Sequence, residues 1–497
     1  MYTPFEQNLF TLFDQIAATR PEHPALSFNG QQYTYGQLNK RIDDIAAFLI
    51  KNGLQRQAVV GLMMGRSIDL VASMIGILRA GGTYLPIDPA LPADRIAFML
   101  KDSGSKLLLV DRSVAGAGAI FDGHELQVPA GEAPATANEI TFPKLEASDP
   151  AYMIYTSGTS GMPKGVRVSH GNLFNFLLGM QDIFNLGVTD RVLAHTTISF
   201  DISGLELYLP LVAGATVYLL DEVEARDGRA LIKKAICEKI TLIQATPAMW
   251  KTFLYAGWDD KLPLKAVSGG EALPADLAAA LLPKVDGLWN MYGPTETTIW
   301  SACKQILPNE KIISIGLPIR QTTLHVLDED LNPLPAGQTG EIFIGGRGVS
   351  LGYHNRPKLN EERFIHVNGH SECLYRTGDL GYFDEKRQLF FQGRADLQIK
   401  VNGYRIEIEE IESQLRKLAD IQDAVVGSRT SKSGNKKLVA YVVTQAKGVP
   451  VQRDEWNSSL ARILPAYMLP AQYISVEAFP LSPSGKIDRK ALDAHVA

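Results

Sequence analysis

Tyr155-Thr156-Ser157-Gly158-Thr159-Ser160-Gly161-Met162-Pro163-Lys164-Gly165 brings together the residue types that grip phosphate. Glycines let the backbone approach a ligand closely, Ser and Thr hydroxyls and backbone N–H groups donate to phosphate oxygens, and Lys164 adds a mobile cation. The run follows a strand-like stretch, Tyr152 to Tyr155, and reads as a polyphosphate loop rather than a solvated Gly/Ser turn. A Walker loop needs Gly directly before its Lys, and Pro163 stands there. A dinucleotide fingerprint beginning at Gly346-Arg347-Gly348 fails because Leu351 takes the place of the third glycine.

Further motifs follow in order. They are Leu78-Arg79-Ala80-Gly81-Gly82-Thr83-Tyr84, Asn290-Met291-Tyr292-Gly293-Pro294-Thr295-Glu296, Tyr375-Arg376-Thr377-Gly378-Asp379-Leu380 and Gly393-Arg394-Ala395-Asp396. Beyond these come Lys400-Val401-Asn402-Gly403-Tyr404-Arg405, Leu464-Pro465-Ala466-Tyr467-Met468 and Ser484-Gly485-Lys486-Ile487-Asp488-Arg489. The phosphate loop resembles the signature of the adenylate-forming superfamily, which includes acyl-CoA synthetases, luciferases and the adenylation domains of nonribosomal peptide synthetases. With the other motifs, the resemblance to the peptide-synthetase branch covers nearly the whole chain.

The resemblance implies a ligase that joins a substrate carboxylate to the α-phosphorus of ATP, giving an acyl adenylate and pyrophosphate. Like charges meet in that step, so the site must neutralise negative charge and align the reactants. By resemblance Lys486 is the catalytic lysine, reaching both carboxylate and phosphate oxygens, and Lys164 assists. Thr156, Ser157, Gly158, Thr159, Ser160 and Gly161 would cradle the phosphates. Glu296 would hold Mg2+, a hard ion suited to oxygen ligands, and Thr295 would donate to the α-phosphate; taken alone, the pair reads equally well as a helix cap. Asp379 would accept the ribose hydroxyls, with Arg394 against the same region. Asn290 and Tyr292 would bind adenine by an amide hydrogen bond and by stacking, in the motif that also carries Met291 and Gly293. Gly269, Glu271 and Ala272 would form the facing wall. Asp396 matches the family's hinge, whose rotation would withdraw Lys486 and bring the Lys400 to Arg405 loop over the adenylate. The implied second step is transfer to the phosphopantetheine thiol of a carrier protein.

Phe200-Asp201-Ile202-Ser203 matches the segment from which peptide-synthetase adenylation domains present an Asp to the α-ammonium of an amino acid. A buried carboxylate demands a cationic partner, so Asp201 favours an amino acid over a fatty or aryl acid; the competing reading is a helix cap near Ser203. The pocket positions read Asp201, Ile202, Leu205, Gln244, Val267, Gly269, Met291, Ile299, Trp300 and Lys486. That set resembles the glycine-type pocket, departing at Val267 and Met291, where the type commonly has Leu. Leu205, Gln244, Met291 and Trp300 are bulky and would exclude a substrate side chain. Alanine or serine is the alternative substrate, an acyl-CoA synthetase the alternative enzyme and an inactive nucleotide-binding scaffold the alternative class.

Elements of α/β type must position these residues. Apolar spacing at Leu9, Phe10, Leu12, Phe13 and Ile16, and at Leu38, Ile42, Ile45, Leu49 and Ile50, predicts two amphipathic helices. Short strands over Ala58 to Met63, Lys106 to Val110, Ala215 to Leu220, Ile240 to Gln244 and Leu264 to Ser268 alternate with helical patterns, as in layered α/β folds. Val114 to Glu139 reads as a surface connection. Strand-like Thr322 to Leu327, Glu341 to Ile344 and Gln388 to Gln392 predict a small β-rich lobe. The expected division is a core of layered sub-lobes over 1–394 and a mobile α+β C-terminal lobe over 395–497.

Composition bounds the partners. The 497 residues are 45% hydrophobic, enough for a sizeable core, and carry a net charge of −5, which argues against a general nucleic-acid binder. Apolar runs fall short of the ~18 residues a membrane span needs, and the N-terminus lacks a basic leader before a hydrophobic stretch. Cys237, Cys303 and Cys373 are widely spaced, which fits a reducing cytoplasm. Eleven residues follow Lys486, too few for a carrier domain, so the acceptor thiol is expected on another polypeptide or on a part removed from this one.

Overall fold

The runs Arg191–Ala194, Thr216–Leu219 and Leu242–Ala245 form the middle of a nine-stranded sheet. Successive strand residues point to opposite faces, and here both faces are covered. Val192, Val217 and Leu242 join one apolar core, whereas Leu193, Tyr218 and Ile243 join another. The structure is a computed structural model describing residues 8–114, 121–129, 140–158, 162–367, 372–401, 403–430, 436–445, 451–480 and 487–494.

Two compact units make up the chain. One comprises Met1–Pro89, Leu100–Tyr155 and Gly165–Ala395, the other Ala90–Met99, Thr156–Lys164 and Asp396–Ala497. In the larger unit the nine strands lie in the order Leu317–Pro318, Ala302–Gln305, Gly287–Tyr292, Lys265–Ser268, Leu242–Ala245, Arg191–Ala194, Thr216–Leu219, Pro24–Phe28, Gln31–Thr34. The run from Gly287–Tyr292 to Pro24–Phe28 is parallel throughout. A six-stranded sheet is built around Val59–Met63, flanked in parallel by Thr83–Pro86 and Leu107–Val110. One core passes from its Val60 and Leu62 through Ile45, Val71, Leu173 and Leu207 of the intervening helices to Val192 and Val217 of the larger sheet. A five-stranded antiparallel sheet holds Thr322–Leu327, Gly340–Gly346, Phe364–His366, Cys373–Phe383 and Leu389–Arg394.

Helix starts follow local chemistry. Thr34 and Gln37 close a capping box on Tyr35–Lys51, and Ser169 with Asn172 does the same for His170–Phe184. The expected surface connection over Val114 to Glu139 contains a strand, His124–Gln127, paired to Leu107–Val110. It is an edge strand with mostly exposed polar residues, so it leaves no apolar alternation to read; residues 115–120 and 130–139 lie outside the described part. The smaller unit has a three-stranded sheet, Ile421–Thr430, Lys436–Thr444 and Gln472–Ser475, against which Ile411, Leu415, Trp456 and Leu460 pack.

His170 opens the helix His170–Phe184 and is almost wholly enclosed. Burial lowers its pKa from 6.5 to about 4, with Asp149 offsetting a part. As pH falls, the unfolded chain therefore takes up this proton first. The stability carried by the neutral ring is complete above pH 6.5 and is lost toward pH 4. His170→Gln should flatten the acid-side fall in unfolding free energy by about 1 kcal/mol between pH 7 and pH 5.5, read from urea titrations of both proteins.

Candidate active site

Four neighbouring parallel strands end at Ala194, Ala245, Ser268 and Tyr292, and the candidate residues cluster at and just beyond these ends. Open parallel sheets bind ligands there. After Tyr292 the chain must pass very close to itself. A Cβ on Gly293 would lie 2.5 Å from the Ile299 carbonyl oxygen and 2.7 Å from the Trp300 Cα. Thr298 and Ile299 take φ values of 64° and 70°, a left-handed pair of β-branched residues. The strain is held by Thr298 Oγ1 donating to Gly348 O at 2.7 Å and Ser301 N–H donating to Tyr292 O at 2.7 Å.

Beside this turn, Asp379 is buried and accepts from Tyr292 Oη at 2.5 Å and from the Arg394 guanidinium. Arg394 faces Asp379 across the antiparallel pairing of Cys373–Phe383 with Leu389–Arg394. Thr377 sets the approach: its Oγ1 accepts the Asp379 N–H at 2.9 Å and donates to Ile342 O at 2.6 Å. Burial, reinforced by the Asp379 carboxylate, pushes the Tyr292 hydroxyl well above its ordinary pKa, so it stays a donor. Each carboxylate oxygen keeps acceptor capacity for a further hydroxyl.

Glu296 sits on the single turn Thr295–Thr297 and is fully buried, with Thr295 half-buried. Tyr353 Oη donates to Glu296 Oε1 at 2.7 Å, and Ser350 N–H donates to Glu296 O at 2.9 Å. Among the described residues no group of three or more His, Cys, Asp or Glu side chains could hold a metal. One carboxylate still fits Mg2+, which usually takes one or two and completes its shell with phosphates and water. Asn290 donates through Nδ2 to Ser314 O at 2.9 Å. Gly269, Glu271 and Ala272 follow Lys265–Ser268, with Glu271 half-buried and Ala272 exposed.

The amino-acid pocket candidates converge from several elements. Ile202, Leu205, Gln244, Val267, Met291, Ile299 and Trp300 are all buried, as is Asp201. The N-cap of helix Ser203–Ala213 is Ile202, so Asp201 is not the helix cap that its sequence position allowed. Burial raises the Tyr152 pKa, and the negative charge of Asp201 raises it further. The Trp300 ring lies against Gly269, where an added Cβ would meet Cη2 at 2.4 Å. Its indole N–H donates to Gln244 Oε1 at 3.0 Å, while Gln244 Nε2 donates to Ile202 O at 2.8 Å.

Other candidates belong to the smaller unit. Thr156 is half-buried, and Ser157 Oγ donates to Arg405 O at 2.9 Å and accepts the Glu407 N–H at 3.3 Å. Gly158 N–H donates to Glu410 Oε2 at 3.3 Å, and Arg95 pairs with Glu410 Oε1 at 2.7 Å. Lys164 is buried at the start of strand Lys164–Ser169. Asp396 begins the unit's C-terminal segment and accepts the Gln398 N–H at 3.2 Å. Thr159, Ser160, Gly161 and Lys486 lie outside the described residues. Three residues beyond Lys486, Arg489 donates to Val426 O at 2.8 Å and to Glu412 Oε1 at 2.7 Å. Sequence reasoning missed Tyr353, Ser314 and Glu206. The last carried a signal, a lone carboxylate in the apolar run Leu205-Glu206-Leu207-Tyr208-Leu209.

Comparison with known proteins identifies the family. The AMP-binding enzyme family matches residues 13–354, and the AMP-binding enzyme C-terminal domain matches 410–486. The chain is 39% identical over 499 residues to the dimodular nonribosomal peptide synthase of Bacillus subtilis (strain 168), covering 98% of this chain and 21% of that protein. The PKS-NRPS hybrid synthetase acdB of Aspergillus candidus is 38% identical, over 98% of this chain and 20% of its own length. The chain thus spans about a fifth of these relatives. Among solved structures, holo-AB3403, a four-domain nonribosomal peptide synthetase bound to AMP and glycine, is 36% identical with a TM-score of 0.74 over 98% of this chain and 36% of that one. Holo-PA1221, with adenylation and carrier domains, is 27% identical with a TM-score of 0.87, over 98% of this chain and 84% of that one. The chain therefore belongs to the AMP-binding enzyme family, as an ATP-dependent ligase built like the adenylation domains of nonribosomal peptide synthetases.

Proposed function

We propose that the chain activates glycine with ATP, forming glycyl adenylate and pyrophosphate, and then passes the glycyl group to the phosphopantetheine thiol of a carrier protein. Two observations carry the reading: Asp201 is buried and is not the helix cap, and the Trp300 ring packs on Gly269. Asp201 pairs with the α-ammonium, and the filled volume excludes a side chain. The glycine and AMP in holo-AB3403 support the same assignment by likeness.

In the first step a carboxylate oxygen of glycine bonds to the α-phosphorus and the bond to the bridging oxygen of pyrophosphate breaks. Tyr292 and Asn290 hold adenine, and Asp379, fixed by Tyr292 and Arg394, accepts the ribose hydroxyls. Lys164 and Lys486 offset the charge that gathers on the phosphates. Bound Mg2+, held by Glu296, would neutralise phosphate charge; Thr295 donates beside it. Asp396 is the hinge between a core over 1–394 and the C-terminal lobe over 395–497.

ATP–pyrophosphate exchange with a panel of acids should be strongest with glycine. Strongest exchange with alanine or serine would overturn the glycine assignment, and exchange with aryl or fatty acids alone would favour a CoA ligase. Lys486→Ala should lower adenylate formation by ~10²–10³-fold while leaving transfer from supplied glycyl adenylate largely intact. Equal loss of both half-reactions would contradict the separate use of Lys486.

A further inference from the structure

Glu206 is a fully buried carboxylate in the helix Ser203–Ala213, between Leu205 and Leu207. A carboxylate so enclosed needs hydrogen bonds in place of its hydration. Oε2 accepts the N–H groups of His195 and Thr196, each at 2.9 Å. Oε1 accepts Thr196 Oγ1 at 2.5 Å and Gln244 Nε2 at 3.1 Å. Arg66 clamps the same loop from its carbonyl side, donating to Ala194 O, His195 O and Thr196 O at 3.0 to 3.1 Å.

This arrangement determines which way round Gln244 sits. A carboxylate only accepts and an indole N–H only donates, so the amide nitrogen must face Glu206 and the amide oxygen must face Trp300. Reversal would set oxygen against carboxylate and N–H against N–H. The same Nε2 also holds the Ile202 carbonyl, next to Asp201.

We infer that Glu206 is a positioning residue for substrate selection: it touches no substrate but, through Gln244, holds the Trp300 ring on Gly269 and the Asp201–Ile202 turn in place. The inference rests on the reading of this pocket as the amino-acid site. Its loss would free the ring to swing off Gly269 and admit a larger side chain.

Glu206→Gln is the test, since the amide keeps the shape yet turns a donor toward groups that already donate. The alanine-to-glycine ratio of kcat/KM in ATP–pyrophosphate exchange should rise ~10-fold, with KM for ATP unchanged. Independently of activity, the Trp300 indole N–H resonance, assigned by its loss in Trp300→Phe, should exchange faster with solvent in Glu206→Gln. Thr196→Val, which removes one of the four donors, should shift both readouts the same way by less. An unchanged ratio together with a still-protected indole, in either variant that folds, would overturn the inference. Failure of the glycine reading shows separately, in the wild-type panel. The ratio is then taken between the preferred amino acid and the one a methylene larger, and if no amino acid is activated the indole exchange decides.

Discussion

Burial of both faces of the parallel strands is the constraint from which the site follows. Val192 and Leu193 point into different cores, as do Val217 and Tyr218, so a polar side chain in mid-strand must find its partners inside the protein. Ligand chemistry is thereby driven to the carboxyl ends of the strands, where the chain leaves the cores. Gln244 and Asn290 show the rule at work near those ends. Each is buried on a strand, and each spends amide hydrogens on internal acceptors, the Ile202 and Glu206 oxygens for one and the Ser314 carbonyl for the other.

The proposed nucleotide side of the site depends on a different kind of order. Asp379 and Arg394 meet because two antiparallel strands are in register, and Tyr292 reaches them from the end of a parallel strand. One phenol-to-carboxylate hydrogen bond therefore joins two sheets of unlike topology in the larger unit. The Arg394 guanidinium and the Tyr292 hydroxyl together fix the position of the Asp379 carboxylate.

Much of this was legible in the sequence where the chemistry is contiguous. The turn over Asn290 to Glu296 and the strand over Thr322–Leu327 depend on neighbours along the chain. Bulk at Leu205, Gln244, Met291 and Trp300 was legible as residue type. What sequence did not reveal is how these groups are fixed. Glu206 and Gln244 are 38 residues apart, and Gln244 and Trp300 are 56 apart, so their hydrogen bonds exist only once a helix, a strand and a strained turn are packed together. The His124–Gln127 strand escaped notice for the opposite reason, since an exposed edge needs no apolar pattern. Whether Asp201 caps its helix turned on a shift of one residue, which propensity does not resolve.

On the proposed reading of Trp300 as a wall of the amino-acid pocket, the left-handed pair Thr298 and Ile299 bears on how a new substrate could be acquired. Trp300 follows a main chain wedged against Gly293 and tied to Gly348 and Tyr292, so the backbone beneath the indole has little room to adapt. A smaller side chain at position 300 would leave an opening in a wall that does not close behind it. Pocket volume can then change one side chain at a time while the nucleotide motif next door keeps its shape. Tension in the main chain thus separates two properties that selection can treat independently: which acid is chosen and how it is activated.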